Sequence, residues 1–252
     1  MKKESIRGRN GYEIPCINNL KSGEKTAVIL IHGFGSSKES PTALAVSAAL
    51  PEHGIGTFGF DFPAHGDSPA DGETLRVKNC LDDLADAEAH VQRLLPGAEI
   101  AYFASSFGAY ISLIYSSTRK PAGRRFFLRC AAVDMPGIFM RGMSTAQRVS
   151  LDSQDFFTID TDYGRPLKIT GGFISDLAAH DVFKLYRPGM AKLSMIHGTA
   201  DETAPIEDAR RFAGLSGAAF TEVCGADHRF LVPGGTDRVM EAAVDFFTSR
   251  PK

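Results

Sequence analysis

The sequence predicts an α/β protein with a mostly parallel central sheet flanked by helices. Short apolar runs rich in β-branched residues recur along the chain, as in TAVILIHG over 26–33, which ends at a glycine. Longer segments with apolar residues at helical spacing separate these runs, a pattern typical of βα crossovers in a parallel sheet. The 252 residues, 43% of them hydrophobic, are enough for one large domain with a sizeable core.

The individual elements follow from periodicity and from the residues that end each run. The segment 75–95 carries apolar residues at helical spacing and stops at Pro96 and Gly97, a pair that ends helices. Residues 1–25 have a weak pattern and are expected to add antiparallel edge strands. The predicted strands are 26–33, 56–62, 98–104, 128–136, 191–198 and 218–225, and the predicted helices are 75–95, 107–117, one that opens at Pro205 and one over 237–249.

Residues 137–188 interrupt the alternation of strands and helices. They are rich in aromatic residues and have no clear period. Long insertions in compact domains often form lids or binding segments, and the alternative is a surface excursion without a role. We therefore expect a core of residues 1–136 and 189–252, with residues 137–188 inserted as a lid or cap.

The amino-acid composition argues against nucleic acid or an anionic membrane as a partner. The chain has 28 basic and 30 acidic residues and a formal net charge of −2, so no overall field attracts nucleic acid or an anionic membrane. The amino terminus has basic residues without an apolar segment behind them, and no long apolar span follows. Four widely spaced cysteines without a CxxC pair favour free thiols in a reducing cytoplasm, although a disulfide stays open.

Two adjacent serines lie between a predicted strand and a predicted helix, in YFASSFGAY over 102–110. A nucleophilic serine on such a turn needs small residues two positions before and after it, because larger side chains would collide with neighbouring elements. Ser106 has Ala104 and Gly108 at these positions, whereas Ser105 has two phenylalanines. Ser106 is thus the candidate nucleophile, with alanine in place of the first glycine of G-x-S-x-G. The alternative is a helix cap.

A reactive serine needs a base, and the base needs a carboxylate that orients it. Asp201 follows the predicted strand 191–198, with Glu202 as its rival and helix capping as the alternative role. His228 lies in a loop after the last predicted strand, where a structural turn is the alternative. The order Ser, Asp, His is that of α/β hydrolases. The other six histidines fit less well.

A glycine-rich loop, HGFGSS over 32–37, follows the first predicted core strand. Its glycines allow the chain to turn close to the serine, so the backbone N–H of Phe34 becomes a candidate oxyanion donor. The second candidate is the N–H of Phe107, directly after Ser106 at a helix N-terminus.

Other motifs carry less weight. GIGTFG over 54–59 matches G-x-G-x-x-G but leads into a strand instead of a helix, and GFGSSK over 33–38 has Lys38 in place of the third glycine. No phosphate-loop, HExxH or zinc-ligand spacing occurs. RKPAGRR over 119–125 is interpreted as a solvated loop. Asp61 and His65 are interpreted as residues that stabilise a turn.

Taken together, these segments resemble the α/β-hydrolase superfamily over most of the chain. The segment around Asp61, the short oxyanion loop and the insertion of about 50 residues are most similar to the cinnamoyl or feruloyl esterase branch, which comprises compact intracellular bacterial esterases with an inserted lid. The matching segments are HGFG (32–35), DFPAHGDS (61–68), ASSFG (104–108), HGTADETAP (197–205) and GADH (225–228).

The resemblance implies a triad of Ser106, Asp201 and His228, with Phe34 and Phe107 as oxyanion donors, and a lid that shapes the acyl or aromatic pocket. We expect a carboxylic ester hydrolase that needs no cofactor or metal and acts on short acyl or aryl esters, hydroxycinnamates among them. A thioesterase or peptidase on the same triad stays open, as does a non-catalytic binding protein. The expected partner is a small-molecule ester, without nucleic acid or membrane, and a homodimer is left open.

Overall fold

The structure is a computed structural model that describes residues 1–161 and 164–249. Elements are numbered along the chain. The strands are β1 Lys2–Arg7, β2 Glu13–Asn19, β3 Thr26–Ile31, β4 Ile55–Phe60, β5 Glu99–Ser105, β6 Arg125–Arg129, β7 Phe156–Ile159, β8 Leu167–Thr170, β9 Lys192–Gly198 and β10 Ala219–Val223. The helices are α1 Pro41–Ala49, α2 Val77–Leu94, α3 Phe107–Thr118, α4 Met135–Gly142, α5 Thr145–Gln154, α6 Gly171–Ala179, α7 Val182–Leu185, α8 Ile206–Ser216 and α9 Gly235–Thr248, and a short 3-10 turn covers Leu50–His53.

The central sheet is mostly parallel, as predicted. Its strand order is β1-β2-β4-β3-β5-β6-β9-β10. β1 pairs antiparallel with β2, and β2 pairs antiparallel with β4, which confirms the expectation for the amino-terminal segment. The remaining neighbours in the sheet, β4, β3, β5, β6, β9 and β10, pair in parallel. The carboxyl ends of the parallel strands therefore lie along one edge of the sheet, and the loops that follow them gather there.

Helices cover both faces of the sheet, and alternate strand residues serve two hydrophobic cores. In β3, Val28 and Leu30 belong to one core, together with residues of α1 and α9. Ile29 and Ile31 belong to a larger core with residues of α2, α3 and α8. This larger core continues into the segment 137–188, because buried side chains of β7, β8, α6 and α7 are part of it.

The strand predicted over 128–136 is wrong in position. The strand is β6, Arg125–Arg129, and the chain then turns and enters α4 at Met135. The start of β6 was missed because Arg125 was assigned to a solvated loop. Both terminal arginines of the strand are buried with partners: the Arg125 guanidinium donates to the carbonyl of Phe246, and Arg129 Nη2 donates to the carbonyl of His228 over 2.8 Å. Arg125 therefore belongs to a strand and not to a solvated loop. Helix α1 had no predicted counterpart.

The segment 137–188, called the cap below, folds into α5, a β7–β8 hairpin, α6, α7 and most of α4. Arg165 ties it to the loop after β4 by donating to the carbonyls of Gly66, Ser68 and Ala70. The division at 136 and 189 stays a prediction. Residues 162 and 163 of the cap, and 250–252 of the core, lie outside the described residues.

Among the helices of the described residues, none is both long and apolar enough to cross a membrane.

Candidate active site

Ser106 lies on a sharp turn between the end of β5 and the start of α3. Its backbone has φ 53° and ψ −114°, a conformation that residues other than glycine rarely adopt. The turn is held by the N–H of Ser106, which donates to the carbonyl of Arg129 over 2.9 Å, and by the Ser106 carbonyl, which accepts from Ala132. Ser105, in contrast, is the last residue of β5 and pairs in register with Arg129.

The small residues around Ser106 have the steric cause that the sequence suggested. A Cβ on Gly108 would lie 2.5 Å from the carbonyl oxygens of both Ile31 and His32, so only glycine allows α3 to pack this closely on the end of β3. At the other flanking position Ala104 is fully buried, and the structure accommodates its methyl group. The missing first glycine therefore does not prevent the turn.

The three residues predicted for a triad meet at the carboxyl edge of the sheet. Nε2 of His228 lies 3.1 Å from Oγ of Ser106, and Nδ1 of His228 lies 2.7 Å from Oδ2 of Asp201. Asp201 follows β9 and is buried, whereas His228 follows β10 and is half-buried. A carboxylate, an imidazole and a hydroxyl in this order can move a proton from the hydroxyl to the imidazole.

Asp201 is held as an anion by several donors. Its Oδ1 accepts from the backbone N–H groups of Thr203 and Ala204, at 2.9 and 2.8 Å. Burial alone would raise the pKa of Asp201, but hydrogen bonds from His197 and His228 outweigh it and hold that pKa well below its usual range. The rival, Glu202, lies exposed at the next position.

The loop after β3 lies against the nucleophile. A Cβ on Gly33 would be 3.3 Å from Cβ of Ser106 and 3.9 Å from its Oγ. Within residues 1–161 and 164–249, the backbone N–H groups of Phe34 and Phe107 have no hydrogen-bond acceptor. Unused donors beside a serine are what a developing oxyanion requires, so both residues remain candidates for this role.

Two groups that sequence reasoning set aside support this loop. The buried ammonium of Lys38 lies 2.8 Å from Asp61 and 2.6 Å from Asp67, and Asp61 also accepts from the backbone of both residues. Burial alone would lower the pKa of Lys38, but these hydrogen bonds raise it. The side chain is therefore charged. His32 Nε2 accepts from the N–H of Phe62 over 3.0 Å.

The interpretation of Asp61 as a turn-stabilising residue is confirmed by these contacts. His65 also contacts the backbone of this turn, since its Nδ1 lies 2.8 Å from the carbonyl oxygen of Pro63. Burial lowers the pKa of His65 to about 3, so its imidazole is neutral.

Aromatic side chains from the cap cover the glycine-rich loop after β3. The ring of Phe34 lies 5.0 Å from that of Phe139 and 5.9 Å from that of Phe173, centroid to centroid. Both of these phenylalanines come from the cap. Phe34 and Phe173 also approach the ring of Phe107, at 5.5 and 6.2 Å. The four rings form an apolar wall beside the candidate oxyanion donors, and we call them the aromatic cluster.

Sequence reasoning missed three residues at this site. The guanidinium of Arg129 donates a hydrogen bond to the carbonyl of His228 and so holds the His228 loop. The same guanidinium lies 5.1 Å from the ring centroid of Phe230. His197 and Cys130 lie against Asp201. The glycine after His197 indicated the end of a strand. No pattern in the sequence indicates the directions in which the side chains of Arg129, His197 and Cys130 point.

Cys130, His197 and Asp201 also form a group with the donor atoms of a metal site, all within 4.8 Å of one another. The carboxylate is already occupied by hydrogen bonds, and burial raises the pKa of the Cys130 thiol, which keeps it neutral. Metal binding would have to displace these interactions, so we assign no metal to this group.

The fold is that of an α/β hydrolase. The profile of the family described as serine aminopeptidase, S33, matches residues 22–154, which are 133 of the 252 residues. The chain belongs to this hydrolase family. A search of curated proteins finds no match.

Solved structures with the same fold cover nearly the whole chain. A candidate hydrolase from Agrobacterium vitis S4 has a TM-score of 0.82 at 19% identity, covering 96% of this chain and 97% of that one. Est1E from Butyrivibrio proteoclasticus, solved with ferulic acid bound, has a TM-score of 0.82 at 20% identity and 97% coverage of both chains. Alpha/beta hydrolase domain-containing protein 10 from mouse has 0.78 at 16%, with 98% coverage of both.

Proposed function

We propose that this protein is a serine hydrolase that cleaves carboxylic esters, with Ser106 as nucleophile, His228 as general base and Asp201 as the residue that orients the base. The observation that carries the proposal is the continuous chain of close contacts from Asp201 Oδ2 through the His228 ring to Ser106 Oγ, at 2.7 and 3.1 Å. The strained backbone at Ser106 supports it, since such strain is common at nucleophilic turns.

The proposed reaction proceeds through an acyl-enzyme. His228 takes the proton of Ser106 while Oγ attacks the ester carbonyl, and the resulting oxyanion accepts hydrogen bonds from the N–H groups of Phe34 and Phe107. The tetrahedral intermediate collapses, the C–O bond of the ester breaks, and the alcohol leaves with a proton from His228. Water then attacks the acyl-enzyme with His228 as base, which releases the acid and restores Ser106. No step requires a cofactor or a metal.

The aromatic cluster supports an aryl or short acyl group as the acid part of the substrate. Phe139 and Phe173 of the cap lie within 6 Å of Phe34, whose N–H is a proposed oxyanion donor, so an acyl chain bound there would meet apolar rings. The likeness to a protein solved with ferulic acid adds support for hydroxycinnamoyl esters. In this proposal the cap acts as a lid that selects the acyl group.

Peptide hydrolysis is the second candidate, because the matching family is described as a serine aminopeptidase. Acyl transfer from thioesters would use the same groups. The partner we propose is a small molecule, and the four free cysteines support a reducing compartment, for which we propose the cytoplasm.

The test combines a covalent probe with a substrate panel. A fluorophosphonate should label Ser106 in the folded protein, and mass spectrometry of the digested adduct locates the label. Nitrophenyl esters, a feruloyl ester, an acyl-CoA and an aminoacyl amide then rank the candidate reactions by kcat/KM. Absence of labelling on folded protein would favour a binding protein, and a preference for the amide would favour the peptidase.

A further inference from the structure

A second histidine lies against the carboxylate of Asp201. Nε2 of His197 is 3.1 Å from Asp201 Oδ2, the same oxygen that lies 2.7 Å from Nδ1 of His228. Nε2 of His197 is also 2.8 Å from the carbonyl oxygen of Ala204. A carbonyl oxygen only accepts hydrogen bonds, so this nitrogen carries the proton and donates to both oxygens.

Packing alone does not account for an imidazole at this position. The ring of His197 is fully buried, and its Nδ1 has no hydrogen-bond partner in the described part of the chain. A buried nitrogen without a partner lowers the stability of the fold, and leucine would fill the same space without that cost. What the imidazole adds is the Nε2–H at Asp201.

We propose that His197 is a positioning residue, which donates to Oδ2 of Asp201 and so divides this oxygen between two imidazoles. Oδ1 is already fixed by the N–H groups of Thr203 and Ala204. With His197 in place, both carboxylate oxygens are fixed in the orientation that His228 requires. The shared Oδ2 also attracts the proton of His228 less strongly than it would if His228 were its only donor. This inference rests on the proposed function, in which Asp201 orients His228.

The charges around this pair are few. Cys130, in the turn after β6, faces Asp201 as a neutral thiol, because burial raises the pKa of that thiol. Glu222 of β10 interacts electrostatically with His197, but it is exposed and paired with Arg210 of α8 at 2.7 Å. On its other side His228 meets Ser106. A substitution at residue 197 therefore changes the surroundings of Asp201 without removing another charged partner.

The experiment compares His197→Leu, which removes the donor, with His197→Gln, whose terminal amide reaches the position of Nε2. His90→Leu is the matched control, because His90 is a half-buried imidazole of α2 whose Nε2 likewise accepts and donates no hydrogen bond within the described residues, and its ion-pair contact, Glu4 at 3.5 Å, lies far along the sheet from Asp201. The measurements are kcat/KM for a nitrophenyl ester from pH 5 to 9, the unfolding temperature, and the NMR titration of the His228 ring in protein labelled with 15N-histidine.

In His197→Leu we expect kcat/KM to fall about tenfold to a hundredfold, because Asp201 is less well oriented. The acid limb of the pH profile should move upward by about half a pH unit, since Asp201 then holds the His228 proton more strongly. His197→Gln should restore the wild-type limb and most of the activity, and His90→Leu should change neither. The unfolding temperature of His197→Leu should fall by no more than a few degrees.

Loss of activity with an unmoved acid limb, or without rescue by glutamine, would mean that His197 is only structural and would overturn the inference. Unchanged activity and an unchanged limb would overturn it as well. If the wild-type protein hydrolyses no ester, the proposed function fails, but the NMR titration midpoint of His228 still decides whether His197 acts on the pair. If the leucine variant does not fold, His197→Asn replaces it, because its amide is too short to reach the position of Nε2.

Discussion

The imidazole Nε2 of His228 lies 3.1 Å from Oγ of Ser106, although 122 positions of the chain separate the two residues. This relationship depends on β6, which lies between the two loops. Its last residue, Arg129, accepts the N–H of Ser106 on its carbonyl and donates from its guanidinium to the carbonyl of His228. One strand end thus orients both partners.

The first prediction separates the two serines. Ser106→Ala should lower kcat for ester hydrolysis by about a million-fold, since removal of the nucleophile disables the whole triad, and should leave the unfolding free energy within about 0.5 kcal/mol. Ser105→Ala is the matched control, with the same atoms removed one residue earlier, and should keep most of the activity. Steady-state kinetics and urea unfolding check both variants. Inactivity of Ser105→Ala alone would overturn the assignment of the nucleophile.

The second prediction concerns the packing of α3 on β3. Gly108→Ala should destabilise the protein by about 2 to 4 kcal/mol and lower activity, because its Cβ would collide with two backbone oxygens at 2.5 Å. Gly214→Ala is the control, since a Cβ there meets no atom within 4 Å and lies in α8. Alanine should stabilise that helix by about 0.5 to 1 kcal/mol. Equal effects of the two alanines in urea unfolding would contradict the steric argument.

The fold class and the candidate triad were predictable because their signals are local. Ser106 has small neighbours within two residues, and Asp201 and His228 each follow an apolar strand in a fixed order. The rest depends on contacts between distant segments. The basic segment 119–125 suggests a surface loop, yet the folded chain buries Arg125 at the start of β6 against α9 and Arg129 at its end against the His228 loop.

The same limit applies to the residues that support the site. Lys38 occupies a position where a cofactor motif would need glycine, and its role appears only when Asp61, 23 positions later, lies beside it. His197 shares Asp201 with His228 through geometry at the end of β9, which no spacing in the sequence encodes.

The third prediction tests the support of the glycine-rich loop after β3. Lys38→Met should cost about 3 to 5 kcal/mol of unfolding free energy and lower kcat, because it leaves the fully buried Asp61 carboxylate without its cation. Asp67→Asn removes a partner of the same lysine, but that side chain is 65% exposed, so its cost should stay below about 1 kcal/mol. Chemical denaturation and ester kinetics measure both. The double variant Lys38→Met, Asp61→Asn should recover part of the loss.

The fourth prediction concerns the cap as a selector of the acyl group. Phe139→Ala should lower the ratio of kcat/KM for a feruloyl ester to that for an acetyl ester, about tenfold, because an aromatic partner beside Phe34 is lost. The rate of fluorophosphonate labelling of Ser106 should stay within about twofold of wild type, because the triad is untouched. Phe183→Ala removes an equally half-buried ring of the cap that packs on Phe212, away from the site, and should leave the ratio unchanged. Equal loss on both esters would contradict a role in selectivity.

The fifth prediction follows from two buried histidines, His32 at the end of β3 and His65 in the loop after β4. Burial lowers the pKa of His32 to about 4 and that of His65 to about 3, below the unfolded value of about 6.5. Between these values the unfolded chain binds protons that the folded protein does not, so stability falls as the pH drops from about 6.5 towards 4. For His65 the loss of unfolding free energy should approach about 3 kcal/mol at pH 4, because the unfolded imidazole is then almost fully protonated and the folded one is still mostly neutral.

Asp83 acts in the opposite direction, because burial raises its pKa to about 8. A difference between variants is therefore needed: in urea unfolding at pH 7 and pH 4.5, His65→Leu should lose less stability on acidification than wild type. An equal loss in both proteins would show that His65 is not held neutral.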